Sequence, residues 1–191
     1  AQAAELIKSS ERPFIYAGGG VVSCSAEAEL TEFVKKLDAP ISLSLMGQAA
    51  FNNKDPHFVG MLGMHGTKTA ALSLKECDLM IVLGSRFSDR VALNTKTFAK
   101  HTKVLHVEID PAEIGKNVAP DCYVNGDLKY VLAELNKTLA QESHPEWMAQ
   151  VEEWEKTYAL SMKPIHEADE VLPCDVIRTL NALAGDNAII T

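Results

Sequence analysis

An apolar run long enough to cross a bilayer, about 20 residues, is missing from this 191-residue chain, which argues against a spanning helix. The N-terminus, AQAAELIKSS, also lacks the extended apolar stretch of a secretory signal. Cysteine is sparse. The four cysteines, at 24, 77, 122 and 174, show no C-x-x-C or zinc-knuckle spacing, so reduced thiols of a cytoplasmic protein are expected, with Cys77 a small core residue. Positive charge is in deficit. Eighteen Lys and Arg face 26 Asp and Glu, a net charge of −8, which argues against nucleic acid and anionic membranes as main partners. A locally basic pocket for an anionic cofactor is still compatible with that balance. Of the six histidines, His65 sits beside glycines and His106 in an apolar strand, and no metal-ligating cluster is visible. No Ser-His-Asp or Cys-His arrangement stands out, and the dinucleotide fingerprint G-x-G-x-x-G is absent.

What is present is an alternation of strands and helices. PFIYAGGG (13–20) reads as a buried strand and a tight turn. Residues 25–39 carry Leu30, Phe33, Val34 and Leu37 on one helical face, with Ser25 expected as N-cap. PISLSL (40–45) reads as a second strand, and 46–60 as irregular. Residues 67–77 read as a helix capped by Thr67. The nearly all-apolar DLMIVLGS (78–85) reads as a strand covered on both faces. KVLHVEID (103–110) is the next strand, DCYVNGD (121–127) a short edge strand, and 128–141 a closing helix. The pattern predicts an α/β fold: a Rossmann-like parallel sheet with helices on both faces, binding ligands at the carboxyl ends of its strands.

After residue 142, Trp147, Val151, Trp154 and Tyr158 line one helical face. That helix either docks another domain or packs on its own. Residues 164–191 then read as a linker, a helix and the first strand of a new domain. The missing initiator methionine and the terminal DNAIIT are what a piece of a longer chain would show.

Several stretches at the strand ends carry chemistry. Gly18, Gly19 and Gly20 permit close backbone approach, to a ligand or simply within a tight turn. GSRFSDRV (84–91) places Arg86 and Arg90 four residues apart with Asp89 between them. Guanidinium groups there suit phosphate or carboxylate, and a surface ion-pair loop is the plainer alternative. Glu108 and Asp110 are candidates for a ribose. Asp110 also fits as a cap for PAEIGKN, which leaves Glu108 for the sugar. Asp127 fits equally as a helix N-cap. Gly63-Met64-His65-Gly66 combines glycine with a thioether and an imidazole, which suits something flatter and more apolar than a phosphate alone.

Taken together, RPFIYAGGGV, SLMGQAAF, GMLGMHGT, ECDLMIVLGSRFSDRV, HVEIDPAEIGKN and NGDL resemble the central domain of the acetohydroxyacid synthase (acetolactate synthase) catalytic subunits, which are thiamine-diphosphate enzymes. The likeness covers about residues 1–140. It implies a central FAD-binding domain over 1–141, a helix and linker over 142–172, and the start of the C-terminal thiamine-diphosphate-binding domain over 173–191. It implies FAD extended across the strand ends. Gly18, Gly19 and Gly20 would approach it with their backbones. Ser44, Leu45 and Met46 would line one side of the flavin, with Leu62, Gly63, Met64 and His65 opposite. Gly84, Ser85 and Arg86 would meet the diphosphate, within a segment running on through Asp89, Arg90 and Val91. Glu108 and Ile109 would reach the ribose, and Gly126, Asp127 and Leu128 the adenine end. Arg90 would bind the carboxylate of the second substrate, and Met64 would help shape that pocket.

The family condenses two pyruvates, or pyruvate and 2-oxobutyrate, to 2-acetohydroxyacids in branched-chain amino-acid synthesis. Thiamine diphosphate and Mg2+ are held outside the segment seen here, and FAD is largely architectural. A homo-oligomer with a regulatory small subunit is implied, and the fragment alone is expected to be inactive. This sequence has Ser88 where the family usually has an acid. FAD-free relatives lack the GMHG type of loop. An FAD-free scaffold domain is the alternative reading, and a free-standing nicotinamide- or FAD-dependent oxidoreductase a third.

Overall fold

The computed structural model describes residues 1–92, 94, 95, 98–159, 171–185 and 188. It divides into two compact units, 1–158 and 159–191.

The first unit is built on six strands: β1 (Pro13–Ala17), β2 (Ile41–Leu43), β3 (Phe58–Met61), β4 (Leu79–Leu83), β5 (Lys103–Glu108) and β6 (Cys122–Asn125). All neighbouring pairs are parallel, in the order β3-β2-β1-β4-β5-β6. The fold class expected from the sequence is thus the one observed. β1 lies between β2 and β4, so the connections leave it in opposite directions. Beyond its carboxyl end the chain parts, and a crevice opens at this switch point.

Successive side chains of a strand point to opposite faces, and two cores follow. Ile15, Ala17, Ile81 and Leu83 face α1 (Gln2–Lys8), α3 (Glu27–Leu37) and α5 (Leu128–Thr138). Phe14, Tyr16, Met80 and Val82 face α4 (Lys68–Glu76) and α6 (Pro145–Tyr158). On α3, Leu30, Phe33, Val34 and Leu37 are the buried residues, each contributing about 1.5–3 kcal/mol of transfer free energy. Thr67 caps α4 by accepting the Ala70 N–H at 3.1 Å. Of the two readings for the Trp-bearing helix, the structure shows packing on its own unit. Trp147 and Val151 of α6 are buried in the second core, and the Trp147 indole N–H donates to the Pro13 carbonyl at 2.9 Å.

Three local expectations change. Residues 58–61, read as irregular, form edge strand β3, whose Gly60 has φ +93° and whose other residues are largely half-exposed. Ser25 does not cap α3. It adopts φ +53°, the N-cap is Ala26, and the Ser25 carbonyl instead accepts from the Lys129 ammonium at 2.9 Å. Asp110 caps a turn rather than a helix, accepting the Ala112 N–H at 2.9 Å while residues 111–115 stay in turns.

In the second unit, α7 (Pro173–Ala184) starts with Pro173 at its first turn and with the Asp175 carboxylate accepting the Leu172 N–H at 3.1 Å. The linker expected before it, over 164–170, and most of the strand expected at 186–191 lie outside the described residues.

Candidate functional site

The crevice at the carboxyl ends of β1 to β4 is a cleft of about 490 Å³. Its walls come from four strand ends: Tyr16, Gly19 and Gly20 after β1; Ser44, Leu45 and Met46 after β2; Met61, Leu62, Met64 and His65 after β3; and Gly84, Ser85, Arg86, Ser88, Arg90 and Val91 after β4.

Glycine makes the cleft floor. After β1 the chain turns into the short helix α2 (Gly19–Ser23), and that turn lies directly on the end of β4. A Cβ on Gly18 would stand 2.4 Å from the Gly84 oxygen, and one on Gly20 would stand 2.8 Å from the Gly84 Cα. Both backbones are tied there. Gly18 N–H donates to Leu83 O at 2.9 Å and Gly20 N–H to Gly84 O at 3.0 Å. Two of the three glycines therefore serve the crossing of backbone over backbone.

The two sides differ in chemistry. Ser44 accepts the Gly47 N–H at 3.1 Å and so caps a single 3₁₀ turn, Leu45–Gly47. That turn leaves Leu45 73% and Met46 78% exposed. Met64, half-exposed, also lines the cleft. Its N–H donates to the Arg90 carbonyl at 2.9 Å, and Gly63 beside it has φ +115°. The cleft lining thus includes soft apolar side chains. Arg86 and Arg90, in the same lining, stand exposed. The Arg90–Asp89 ion pair spans 4.0 Å between side chains 70% and 85% exposed, too solvated to hold either group firmly. In a protein of net charge −8, two guanidinium groups at one cleft make a local anion-attracting spot.

The arginine loop is fixed from beneath. Ser85 and Phe87 are buried while Arg86 and Ser88 face out. The His106 Nε2 is 3.1 Å from the Ser85 carbonyl, and the Asn117 amide donates to the Phe87 carbonyl at 2.7 Å. Tyr16 is 1% exposed. Burial raises its pKa, and hydrogen bonds with the Ser85 and Ser44 side chains act in the opposite direction, leaving a neutral phenol at the floor.

Of the site residues read from the sequence, the cleft lining brings together Gly19, Gly20, Ser44, Leu45, Met46, Leu62, Met64, His65, Gly84, Ser85, Arg86, Arg90 and Val91. Gly18, Gly63 and Asp89 are outside the lining, next to lining residues in sequence. The residues that the family likeness assigned to an adenosine are at other strand ends, those of β5 and β6. Glu108 is 9% exposed, and its Oε1 accepts the Ile109 and Asp110 N–H groups at 2.9 and 3.2 Å. Ile109 is 66% exposed. Gly126 N–H donates to Glu108 O at 3.2 Å, and Asp127 caps α5 through the Lys129 N–H at 2.9 Å. Leu128 is buried against Gly84. Tyr16, Met61 and Ser88 line the cleft without having been singled out for it. Tyr16 carries the one polar side chain of the run PFIYA, which was the signal available.

Residues 1–135 match the family model described as thiamine pyrophosphate enzyme, central domain. The chain is 40% identical over 195 residues to the acetolactate synthase large subunit of Parasynechococcus marenigrum (strain WH8102), covering 100% of this chain and 31% of that protein. It is 37% identical over 187 residues to the acetolactate synthase large subunit of Cyanidium caldarium, covering 94% of this chain and 32% of that one. It is 38% identical over 209 residues to the probable acetolactate synthase large subunit of Methanococcus aeolicus, covering 100% and 34%. The chain spans about a third of the length of these curated relatives. The match over most of the chain, on a doubly wound parallel sheet, places this protein in the family of thiamine pyrophosphate enzyme central domains.

Proposed function

We propose that this chain is the FAD-binding central domain of an acetolactate synthase, the enzyme that joins two 2-oxoacids with loss of carbon dioxide. One observation carries the reading: a cleft at the switch point is lined by thioether and leucine side chains together with two arginines. That is the chemistry of a ligand with a flat ring system and an anionic diphosphate.

The residues fit the flavin half well. Leu45, Met46, Leu62 and Met64 all line the cleft, a set of apolar side chains suited to holding a ring system. The backbone of Gly19 and Gly20 forms the floor on which no side chain intrudes. Ser85 and Arg86 would hold the diphosphate. Glu108 and Ile109 would meet the ribose, and Gly126, Asp127 and Leu128 the adenine. Arg90 would receive the carboxylate of pyruvate or 2-oxobutyrate, with Met64 shaping that pocket. Bound thiamine diphosphate, with Mg2+, supplies the decarboxylation and carbon–carbon bond chemistry. This chain's own contribution is to bind, orient and exclude water. We further propose that the enzyme is a cytoplasmic homo-oligomer working with a regulatory subunit. The four unpaired thiols suit a reducing compartment.

One observation favours the FAD-free scaffold reading. The carboxylates of Glu108 and Asp127 already accept hydrogen bonds from their own backbone. FAD titration separates the two readings, with flavin fluorescence as readout and Arg86→Ala as control. Saturable binding that weakens about 10- to 100-fold in the variant, the worth of one charge-assisted bond, supports the flavin site. No binding by this chain or by the full-length enzyme supports the scaffold.

A further inference from the structure

His106 is a fully buried imidazole in β5 with one nitrogen engaged and one idle. Its Nε2 lies 3.1 Å from the Ser85 carbonyl. A carbonyl only accepts, so the proton of the neutral ring sits on Nε2. Nδ1 has no hydrogen-bond partner among the described residues. The ring also meets Phe87 edge to face, with centroids 5.3 Å apart, and Phe87 meets Phe98 at 5.7 Å. His106 therefore touches both buried residues of the arginine loop, Ser85 through its carbonyl and Phe87 through its ring. Arg86 stands between them in sequence and faces the opposite way. An apolar side chain would fill this strand position without leaving a buried nitrogen unpaired. The nitrogen that is used makes its bond to the arginine loop.

We infer that His106 is the positioning residue of the arginine loop. It fixes Ser85 and Phe87 so that Arg86 is presented to the anionic part of the cleft's ligand. Naming that ligand as FAD rests on the function proposed above, whereas the anchoring does not.

Two variants separate position from bulk. His106→Met puts an apolar side chain of similar length in its place and removes the donor, and His106→Gln restores an amide donor where Nε2 stood. The first readout is amide hydrogen exchange on the 191-residue chain. Protection of the Val91 and Ala92 amides, which donate to Ser88 O at 3.1 and 2.8 Å, should fall at least about ten-fold in His106→Met and recover in His106→Gln, while Leu30 in α3 is unchanged. Unchanged loop protection, or a loss spread equally over α3, overturns the inference whatever the flavin does. The second readout is FAD affinity in a double-mutant cycle with Arg86→Ala. His106→Met should weaken binding about five-fold or more in the parent and hardly at all on the Arg86→Ala background. Additive losses overturn the inference. Loss of loop protection in a chain that binds no FAD leaves the anchoring standing and removes the flavin reading.

Discussion

The Met64 amide donates to the Arg90 carbonyl at 2.9 Å, so the methionine loop and the arginine loop share one hydrogen bond. The two stretches, which follow β3 and β4, thus form one wall of the cleft. Gly63 makes the contact possible, because a Cβ there would stand 2.6 Å from the same carbonyl oxygen. The Gly-Met-His-Gly sequence is thus explained in two parts: its first glycine serves the wall, and its methionine serves the cleft.

Gly63→Ala should therefore cost stability and binding together. Its φ of +115° is strained for any L side chain, and such strain costs on the order of 1–3 kcal/mol. Urea denaturation is expected to show a lower midpoint, and FAD titration a weaker affinity. A variant as stable as the parent would show that the two loops are not held as described.

Met46→Ala should behave in the opposite way. The side chain is 78% exposed, so stability should stay within about 0.5 kcal/mol of the parent. Flavin affinity should fall roughly two- to ten-fold through lost sulfur–ring and apolar contact. Unaltered affinity with a shifted midpoint would assign Met46 to the fold and not to the site.

Acid should weaken the fold through His106. Burial lowers its pKa, opposed by the bond to Ser85 and the charges of Glu108 and Glu113. The unfolded chain then binds the proton more readily than the folded one. Stability from this group is complete above the unfolded value of about 6.5 and is lost as pH falls from there through the lowered folded value. Urea midpoints measured from about pH 8 to about pH 5 should decline, and His106→Gln should flatten the decline. An equal slope in that variant would trace the acid sensitivity to other groups.

The chain alone should form no acetolactate from pyruvate, thiamine diphosphate and Mg2+. It spans about a third of its curated relatives, and under the function proposed above the groups that activate and hold thiamine diphosphate belong to the remaining two-thirds. Product detected by a colorimetric acetoin assay would contradict this division of labour.

Much of this was legible in the residues. β4 is five apolar residues in a row, LMIVL, and a run so uniformly apolar fits only a strand covered on both faces. β3 was hidden because it is an edge strand of four residues with a glycine at positive φ, so neither alternation nor an apolar run marks it. Ser25 had the right residue type for a cap, but tertiary contact with Lys129 draws its backbone into a left-handed turn. Arg86 stood out as a candidate because a guanidinium just beyond a buried strand is chemically out of place, whereas Met46 became a candidate only through the likeness of SLMGQAAF to the family. Tyr16 was concealed, since its ring belongs to the core and only its hydroxyl belongs to the cleft.

The pairing of β1 with β4 across an intervening stretch that contains β2, β3 and α4 has a consequence for how the protein is made. While the ribosome has delivered only the first three strands, Gly18 and Gly20 have nothing to cross, and the arginine loop does not exist. The cleft is therefore completed only once β4 and the loop after it have emerged, by closure of contacts distant in sequence, the kind that form slowly. A ligand that seats there recognises only the finished crossing, and its binding draws the population of newly made chains toward the closed form by mass action.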